Sequence, residues 1–258
     1  MVMGESAVTN NQAIWTVVPT YNESDNIAIL VEQILTIMPS AHLVVVDDGS
    51  PDGTAKIVEA FVQRDGRVHL LRRPKKLGYA SAVVTGLQFA LSNDASVIGY
   101  MDADLSHDPK ALPLLIEAVQ NGADISIGSR YVNGGQIVGW TWQRKVLSQC
   151  ANRLIRLLLK LPIRDATSGF RVFHRGALER LNLGRIKVDG YAFQFVSAAL
   201  AVWEGLKVVE VPITFCERKF GRSKMSWHIV FEAMTVLLKL AWWCWTGHWL
   251  GAPVLQGE

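Results

Sequence analysis

Short apolar runs alternate with helical patterns along the first half of this chain, and this alternation constrains the fold more than any other feature. The runs are rich in Val, Ile and Leu without polar alternation, which is typical of strands buried on both faces. Strand–helix alternation predicts right-handed crossovers and a mostly parallel sheet with helices on both faces, an α/β fold. The predicted strands are 14–18, 43–46, 68–71, 97–101 and 125–127, and the predicted helices are 24–37, 54–63, 80–91 and 109–120.

The composition is that of an ordinary globular protein. Half of the 258 residues are hydrophobic and 19% are charged, which fits one large domain with a C-terminal appendage. The net charge of +3 is too close to balance to indicate a nucleic-acid partner, so none is expected. We expect a disordered tail at 1–13, a catalytic domain at 14–225, an apolar segment at 226–250 and a second tail at 251–258.

Three features of the sequence bear on the compartment. Cys150, Cys216 and Cys244 are far apart and lack metal-binding spacing, which argues against a disulfide framework or a zinc site. Residues 1–12 are polar and contain no signal-peptide core. A reducing compartment is therefore expected.

Polar clusters follow three of the predicted strands. Residues 19–23 (PTYNE) follow the first strand, 47–50 (DDGS) the second and 102–104 (DAD) the fourth. Ligands of open parallel sheets bind beyond the carboxyl ends of the strands. Helix capping explains one acidic loop more easily than three, so we predict that the three clusters line one crevice.

The pair Asp102 and Asp104 is the sharpest chemical feature of these clusters. Residues two apart in an extended backbone point to the same side, so both carboxylates can offer hard oxygen ligands to one divalent cation that holds a diphosphate. Acidic residues are also common at strand ends, and Asp108–Pro109 has the pattern of a helix N-cap. The pair alone does not decide between these interpretations.

The glycine-rich phosphate loops are missing from the sequence. Neither G-x-G-x-x-G after a strand nor G-x-x-x-x-G-K-[ST] occurs, so dinucleotide cofactors and Walker-type sites lack their cradle. A nucleotide held through a metal remains compatible. Glu23 or Asp48 can accept hydrogen bonds from its base or ribose, and Tyr21 can pack on a ring; alternatively, these loops cap the following helices through Asn22 or Ser50.

Six motifs, in order from about residue 14 to residue 228, resemble those of a known family. They are similar to the motifs of inverting GT-A glycosyltransferases of family 2, specifically the polyprenol-phosphate (dolichol-phosphate) mannose synthases. The motifs are PTYNE at 19–23, VDDGS at 46–50, DADLS at 102–106, GSRY at 128–131, SGFR at 168–171, and Arg218-x-x-x-Arg222-Ser223-Lys224.

The resemblance implies roles for individual residues. Asp102 and Asp104 would bind the Mg²⁺ or Mn²⁺ that bridges the donor diphosphate, and together with Arg218 and Lys224 they form the expected catalytic set. The expected donor-binding residues are Pro19, Tyr21, Glu23, Val46, Asp48, Asp102, Ala103, Asp104, Arg130, Arg218 and Lys224. The expected acceptor-phosphate residues are Arg130, Arg144 and Ser148.

Ser106 departs from the family pattern. Some relatives have Gln at this position as a further metal ligand, and a serine hydroxyl is shorter and weaker. Ser106 is therefore the least certain of the three metal-ligand candidates, and ligation through water or by Asp102 and Asp104 alone is expected instead.

The resemblance implies transfer of mannose from GDP-mannose to a polyprenyl phosphate, giving a β-linked product. The lipid phosphate is already an oxyanion, so no general base is required; the charge on the leaving nucleotide needs stabilisation. Three alternatives stay open. They are a glucosyltransferase using UDP-glucose, a nucleotidyltransferase or phosphohydrolase that would leave the downstream basic segments without a role, and a non-catalytic membrane-bound sugar-nucleotide sensor.

Two segments indicate a membrane surface. In 140–160, Arg153, Arg156 and Lys160 recur at helical spacing beside a leucine-rich side, which fits an interfacial amphipathic helix or an ordinary surface helix. Segment 229–250 is rich in tryptophan, but charged residues leave it short of the ~20 apolar residues that cross a bilayer. We favour a helix lying in the interface over one that spans or packs in the core. The expected location is the cytoplasmic face of a membrane, and a small membrane-protein partner is compatible with it.

The remaining polar residues carry weaker indications. The six histidines are scattered, so no histidine ligand cluster is predicted, and His107 is expected at a solvated loop position. The segment 75–78 (KKLG) is expected either beside the donor or in an exposed loop before a helix.

Overall fold

The chain forms strands and helices in the alternating order that the apolar runs predict. The computed structural model describes residues 13–188, 190–218 and 227–247. The strands are β1 (Ile14–Thr20), β2 (His42–Asp47), β3 (Val68–Arg72), β4 (Val97–Tyr100), β5 (Ile125–Ser129), β6 (Gln136–Val138), β7 (Arg171–His174), β8 (Val208–Pro212) and β9 (Thr214–Cys216). The helices are α1 (Ile27–Ile37), α2 (Thr54–Val62), α3 (Tyr79–Ser92), α4 (Leu112–Gln120), α5 (Trp142–Leu158), α6 (Arg175–Leu181), α7 (Gly190–Trp203) and α8 (Trp227–Thr246).

The central sheet has seven strands in the order β3-β2-β1-β4-β7-β5-β8. Strands β1 to β4 run parallel to one another, and β5 and β8 also pair in parallel. Strand β7 lies antiparallel between β4 and β5. A separate parallel pair joins β6 to β9. The mostly parallel α/β sheet predicted from the sequence is confirmed.

Helices cover both faces of the sheet, and each face has its own apolar core. On one face, α1, α2 and α4 bury residues against Val18, Val45 and their neighbours. On the other face, α3, α5, α6, α7 and α8 pack around Val17, Val46 and Ile127. Alternate residues of β1 therefore enter different cores, as expected for a strand buried on both sides.

Two of the predicted helices differ from the observed ones at their first turn. Helix α1 begins at Ile27 instead of residue 24, because the backbone N–H groups of Asn26 and Ile27 both donate to the Glu23 carbonyl and close a turn first. The helix predicted at 109–120 divides into a 3₁₀ turn, Pro109–Ala111, and α4. The Asp108 side chain accepts from the Lys110 N–H, which confirms the N-cap pattern at that turn.

Gly86 allows α3 to lie directly on the sheet. A β-carbon added at this glycine would lie 2.3 Å from Cγ1 of Val17 and 3.0 Å from Cγ2 of Val46. Both valines are fully buried in β1 and β2, so neither side chain has free space to move into. Close helix–sheet contact at this point therefore requires the absence of a side chain.

Helices α5 and α8 meet at their C-terminal ends on one side of the molecule. Nε1 of Trp245 donates to the Leu158 carbonyl at 2.9 Å, and the Lys160 ammonium lies 4.2 Å from the centre of the Trp245 indole. Helix α8 buries Leu237 and Leu240 in the core but exposes 69% of Trp242. Segment 229–250 thus combines core packing with an exposed apolar face. Residues 248–250 and the predicted domain boundary at 226 lie outside the described residues.

Within the described ranges, no helix combines the length and apolarity that crossing a bilayer requires.

The contact at Gly86 predicts a stability difference between two glycine substitutions. Gly86→Ala should lower the free energy of unfolding by about 1–3 kcal/mol, because the clash with Val17 outweighs the roughly 1 kcal/mol gain in helix propensity. Gly66→Ala is the matched control, since nothing lies within 4 Å of the added carbon there. Urea unfolding of both variants measures the difference, and equal stabilities would contradict the packing described.

Candidate active site

The three polar clusters converge at one edge of the sheet, as predicted. Strands β2, β1 and β4 are neighbours and end at Asp47, Thr20 and Tyr100. The Asp48 N–H donates to the Thr20 carbonyl at 2.9 Å, and the Asn22 N–H donates to the Ser50 hydroxyl at 3.0 Å. Strands β2 and β3 are added on one side of β1, and β4 is added on its other side. The order of the strands therefore reverses between β1 and β4, and the crevice lies at this topological switch point.

Asp104 is held by three hydrogen-bond donors. Its Oδ1 accepts from the backbone N–H and the hydroxyl of Ser106, and its Oδ2 lies 2.6 Å from Nη2 of Arg218. Burial alone would raise the pKa of Asp104, but the Ser106 hydrogen bonds and the Arg218 charge bring it below its ordinary value. Asp104 is therefore ionised and oriented.

Asp102 has a different environment. Its Oδ1 accepts from the Tyr79 hydroxyl at 2.8 Å, and 33% of its side-chain surface faces the crevice. Burial among protein atoms, together with the negative charge of Asp104, raises the pKa of Asp102 to about 7. Two carboxylates of the same loop thus have widely separated pKa values, a property common at functional sites.

A chain of hydrogen bonds through the core orients Asp102. The Tyr100 hydroxyl donates to Oε1 of Gln194 at 2.6 Å, and Nε2 of Gln194 donates to the Tyr79 hydroxyl at 3.1 Å. The Tyr79 hydroxyl then donates to Asp102. Neither Tyr79 nor Gln194 was predicted from the sequence. A glutamine inside the largely apolar α7 was the available signal, because a buried amide requires partners.

The SGFR motif forms the wall behind Asp102. A β-carbon at Gly169 would lie 3.0 Å from Oδ2 of Asp102, so a side chain at this position would push against the carboxylate. Arg171 is 1% exposed and donates to the Ala166, Ser168 and Gln194 carbonyls and to the Ser197 hydroxyl. These bonds tie the turn before β7 to α7.

The expectation that His107 lies in a solvated loop is wrong. Only 2% of the residue is exposed, and its ring lies against those of Phe170 and Phe215. Its Nδ1 is 3.7 Å from Oδ2 of Asp102, and burial lowers the pKa of His107 to about 4. The bridge between His107 and Phe215 buries the ring, because it draws β9 over the acidic loop.

Strand β9 also delivers Arg218 to the site. The Cys216 N–H donates to the Ser106 carbonyl at 2.9 Å, and β9 pairs with β6 on its other side. Arg218 follows two residues later and reaches Asp104. Lys224, with Arg222 and Ser223 of the same motif, lies outside the described residues.

The residues expected to hold the nucleoside lie around the ends of β1 and β2. The Asp48 carboxylate accepts from the N–H groups of Leu77 and Gly78 and lies 2.7 Å from Nη2 of Arg73. It therefore organises the loop before α3. Glu23 is 7% exposed, and its Oε2 accepts from the Asn26 amide. Pro19, Val46 and Ala103 are buried.

Tyr21 is the more open member of this group. Its ring lies 4.3 Å from the Lys76 ammonium, a cation–π contact. Segment 75–78 forms a largely exposed loop directly before α3, and its Lys76 contacts Tyr21, so its approach to a donor stays a prediction.

The residues expected at the acceptor phosphate gather around Trp140. Arg130 lies 5.6 Å and Arg144 4.1 Å from the centre of this ring. Ser148 accepts a hydrogen bond from Tyr131 at 2.7 Å, which joins the GSRY motif to α5. Arg144 also pairs with Glu217 at 2.9 Å.

Arg130 is committed to a buried partner. Its Nε and Nη2 each lie 2.7 Å from an oxygen of Asp165, which is fully buried, and Nη2 also donates to Thr167. Bidentate pairing of this kind fixes the plane of the guanidinium. Arg130 thus braces this region, and its approach to a phosphate remains a prediction.

The donor set at Asp102 and Asp104 fits a hard divalent cation. Both side chains supply carboxylate oxygens, which are hard ligands, and the side chain of Asp102 is open to the crevice. The buried His107 ring lies nearby, with its Nδ1 3.7 Å from Oδ2 of Asp102. In the part of the chain that the structure describes, no third acidic, histidine or cysteine side chain completes a metal-binding group. The Ser106 hydroxyl donates to Asp104, so it orients that carboxylate.

Comparison with known proteins agrees with this arrangement. The chain is 43% identical over 239 residues to a polyprenol monophosphomannose synthase from Mycolicibacterium smegmatis, covering 92% of this chain and 89% of that protein. It is 38% identical over 244 residues to an undecaprenyl-phosphate mannosyltransferase from Micrococcus luteus, covering 95% and 99%.

Solved structures share the fold at low sequence identity. A glucosyl-3-phosphoglycerate synthase from Mycobacterium tuberculosis, in complex with Mn²⁺, UDP and phosphoglyceric acid, has a TM-score of 0.66 at 17% identity, covering 90% of this chain and 78% of that one. The mannosyltransferase PcManGT from Pyrobaculum calidifontis, in complex with GDP-Man and Mn²⁺, has a TM-score of 0.59 at 19% identity, covering 90% and 64%. The fold is that of the GT-A glycosyltransferases.

The Glycosyl transferase family 2 model matches residues 15–181, a span that contains both aspartates, the nucleoside loops and the turn before β7. Three findings agree. The crevice at the switch point contains a loop with two carboxylates, the fold is that of the GT-A glycosyltransferases, and the relatives match nearly the whole chain. The chain belongs to glycosyl transferase family 2 and is a glycosyltransferase.

Proposed function

We propose that this protein transfers mannose from GDP-mannose to a polyprenyl phosphate in a metal-dependent, inverting reaction. The observation that carries the proposal is the loop of Asp102 and Asp104, with Arg218 beside it, at the switch point of the sheet. Two relatives at 38–43% identity are named as mannose transferases for polyprenyl phosphates. The PcManGT structure contains GDP-Man and Mn²⁺, which supports the same donor and a divalent ion.

Asp102 and Asp104 would hold the Mg²⁺ or Mn²⁺ ion. A bound divalent cation neutralises the charge that grows on the departing nucleoside diphosphate. Arg218 is placed to add to this effect, because its guanidinium already lies at the Asp104 carboxylate. Ser106 and Tyr79 act by orientation, since each donates a hydrogen bond to one of the two carboxylates.

The acceptor needs no general base. A phosphate monoester carries roughly 1.5–2 negative charges near neutral pH, so an oxygen of the lipid phosphate can attack the anomeric carbon directly. The bond between that carbon and the GDP oxygen breaks on the opposite face, and a single displacement inverts the configuration. Arg144 and Ser148, on the first half of α5, are placed to position the incoming phosphate beside Arg130.

We further propose that the protein works at the cytoplasmic face of a membrane, held there by exposed apolar residues of α5 and α8. Leu147 and Leu157 of α5 are 58% and 63% exposed, and Leu238 and Trp242 of α8 are 56% and 69% exposed. An apolar face flanked by basic residues is typical of interfacial helices. A polyprenyl phosphate acceptor is itself embedded in the membrane, so the enzyme must reach it at the membrane surface.

Asp104→Asn should lower mannosyl transfer by about 10²-fold or more while the protein stays folded, because it removes one charged metal ligand and weakens the Arg218 contact. Radiolabelled transfer into an organic phase measures the rate, and calorimetry with Mn²⁺ measures the ion affinity, which should also fall. Asp94→Asn is the matched control, since this exposed aspartate lies before β4 at the opposite edge of the sheet. Wild-type turnover and Mn²⁺ affinity in Asp104→Asn would contradict the assignment.

Titration with nucleotides should separate the sugar classes. GDP is expected to bind more tightly than UDP, and Mn²⁺ should strengthen GDP binding, because the ion links the diphosphate to the two aspartates. Chelation of the ion should remove this gain. Tighter binding of UDP would favour the UDP-glucose alternative, and nucleotide binding without any lipid-linked product would favour a sensor.

The apolar face of α8 should contribute to membrane binding. We expect the double variant L238Q/W242Q to sediment severalfold less with lipid vesicles, because both side chains are exposed and the core contacts of α8 are left intact. The control is I29Q/L114Q, which removes exposed apolar residues from α1 and α4 on the other face. Equal sedimentation of the two variants would argue against attachment through α8.

A further inference from the structure

A cavity of about 580 Å³ opens between α5 and the loop that follows β5. We call it the arginine pocket. The charged side chains that line it are all arginines, namely Arg130, Arg153, Arg156 and Arg164. Of the residues expected at the acceptor phosphate, Arg130 lines the pocket, whereas Arg144 and Ser148 do not, and neither Asp102 nor Asp104 lines it.

Three of these arginines carry charge that the protein does not balance. Among the residues that the structure describes, no carboxylate lies within 4.0 Å of the guanidinium groups of Arg153, Arg156 or Arg164. Two acidic side chains next to Arg164 in the structure or the sequence already have other partners. Asp165 pairs with Arg130, and Glu210 accepts from the backbone N–H groups of residues 164 and 165 at 2.8 and 2.9 Å.

The side chains of these three arginines are exposed to solvent, but they border a single cavity. The three arginines come from α5 and from the loop after it, yet they line one concave space instead of spreading over a helix surface. Arg130 forms the inner part of the pocket, and its pairing with buried Asp165 keeps this wall rigid. Guanidinium groups that converge on a cavity match the oxygens of a phosphate, which accepts paired hydrogen bonds from them.

The pocket opens beside apolar surface. Leu157 lines it and is 63% exposed, and Leu154, one turn earlier on α5, is 37% exposed. Trp245 of α8 is 63% exposed and donates to the Leu158 carbonyl next to it. A ligand whose phosphate enters the pocket can therefore extend an apolar part along this surface. A lipid has both parts, whereas a free phosphate or a soluble metabolite has only the first.

We propose that the arginine pocket binds the phosphate headgroup of an anionic membrane phospholipid through Arg153, Arg156 and Arg164, next to the expected acceptor site, with which it shares Arg130. The headgroup contacts set the depth and rotation of the protein on the membrane, while the leucines and tryptophans of α5 and α8 enter the acyl boundary. Basic side chains close to an anionic surface are each attracted to it, and the attraction is screened by salt. This inference extends the membrane attachment proposed above and does not depend on which sugar is transferred.

The test is sedimentation of the full chain with vesicles of pure phosphatidylcholine and with vesicles that contain about one third phosphatidylglycerol. The triple variant R153Q/R156Q/R164Q should lose at least about tenfold in affinity for the anionic vesicles and change little on the neutral ones. The matched control K56Q/R64Q/K207Q removes the same charge from exposed positions on other faces, and it should retain wild-type binding. Raised salt should weaken wild-type binding to the level of the pocket variant.

Three outcomes would overturn the proposal. If the wild type binds neutral and anionic vesicles equally, the apolar face alone accounts for attachment. If both triple variants lose the same affinity for anionic vesicles, the net charge of the protein accounts for the loss. Displacement of wild-type protein from vesicles by millimolar inorganic phosphate, with no dependence on lipid, would indicate a soluble anion instead.

Transfer to a short polyprenyl phosphate in detergent is measured in parallel. Loss of vesicle binding with an unchanged kcat separates the pocket from the transfer site, and a wild type that binds anionic vesicles without transferring mannose would sink only the proposed function.

Discussion

The mutual repulsion of Asp102 and Asp104 is the constraint around which the site is organised. Two carboxylates two residues apart, partly removed from water, cannot both remain ionised without help. The protein treats them differently. Among the described residues, Asp104 pairs directly with Arg218, whereas Asp102 accepts a hydrogen bond from the Tyr79 hydroxyl. Burial, together with the charge of Asp104, raises the pKa of Asp102 to about 7. The pair is therefore prepared for an additional positive charge, which is the property a divalent-cation site requires.

The supports for this pair come from distant parts of the chain. Tyr79 starts α3, Gln194 lies in α7, and Arg218 follows β9, yet each acts within one or two hydrogen bonds of the acidic loop. Strand β7 makes this possible, because its antiparallel position beside β4 brings the turn at Gly169 against Asp102. The N-terminal strands supply the acidic loop, and side chains from both halves of the chain orient it.

The arginines illustrate how environment decides the role of one residue type. Arg171 is surrounded by carbonyls and a hydroxyl and links β7 to α7, while Arg130 is locked to Asp165. These buried cations have their hydrogen bonds satisfied and stabilise the fold around the site. Arg153 and Arg156 have no such partners among the described residues and face a cavity beside apolar surface. Arg171 and Arg130 therefore stabilise the structure, whereas the guanidinium groups of Arg153 and Arg156 can bind an anion.

The sequence by itself determined the α/β alternation, the convergence of three strand ends and the pairing of Asp102 with Asp104, because periodicity and strand polarity are local properties of the chain. Only the tertiary structure decided that His107 is buried, that Arg130 belongs to Asp165, and that a glutamine of α7 orients the acidic loop. These facts depend on β7 and β9, which are too short to show a period of their own. Their partners are chosen by contacts between residues far apart in the chain, and no local pattern records those contacts.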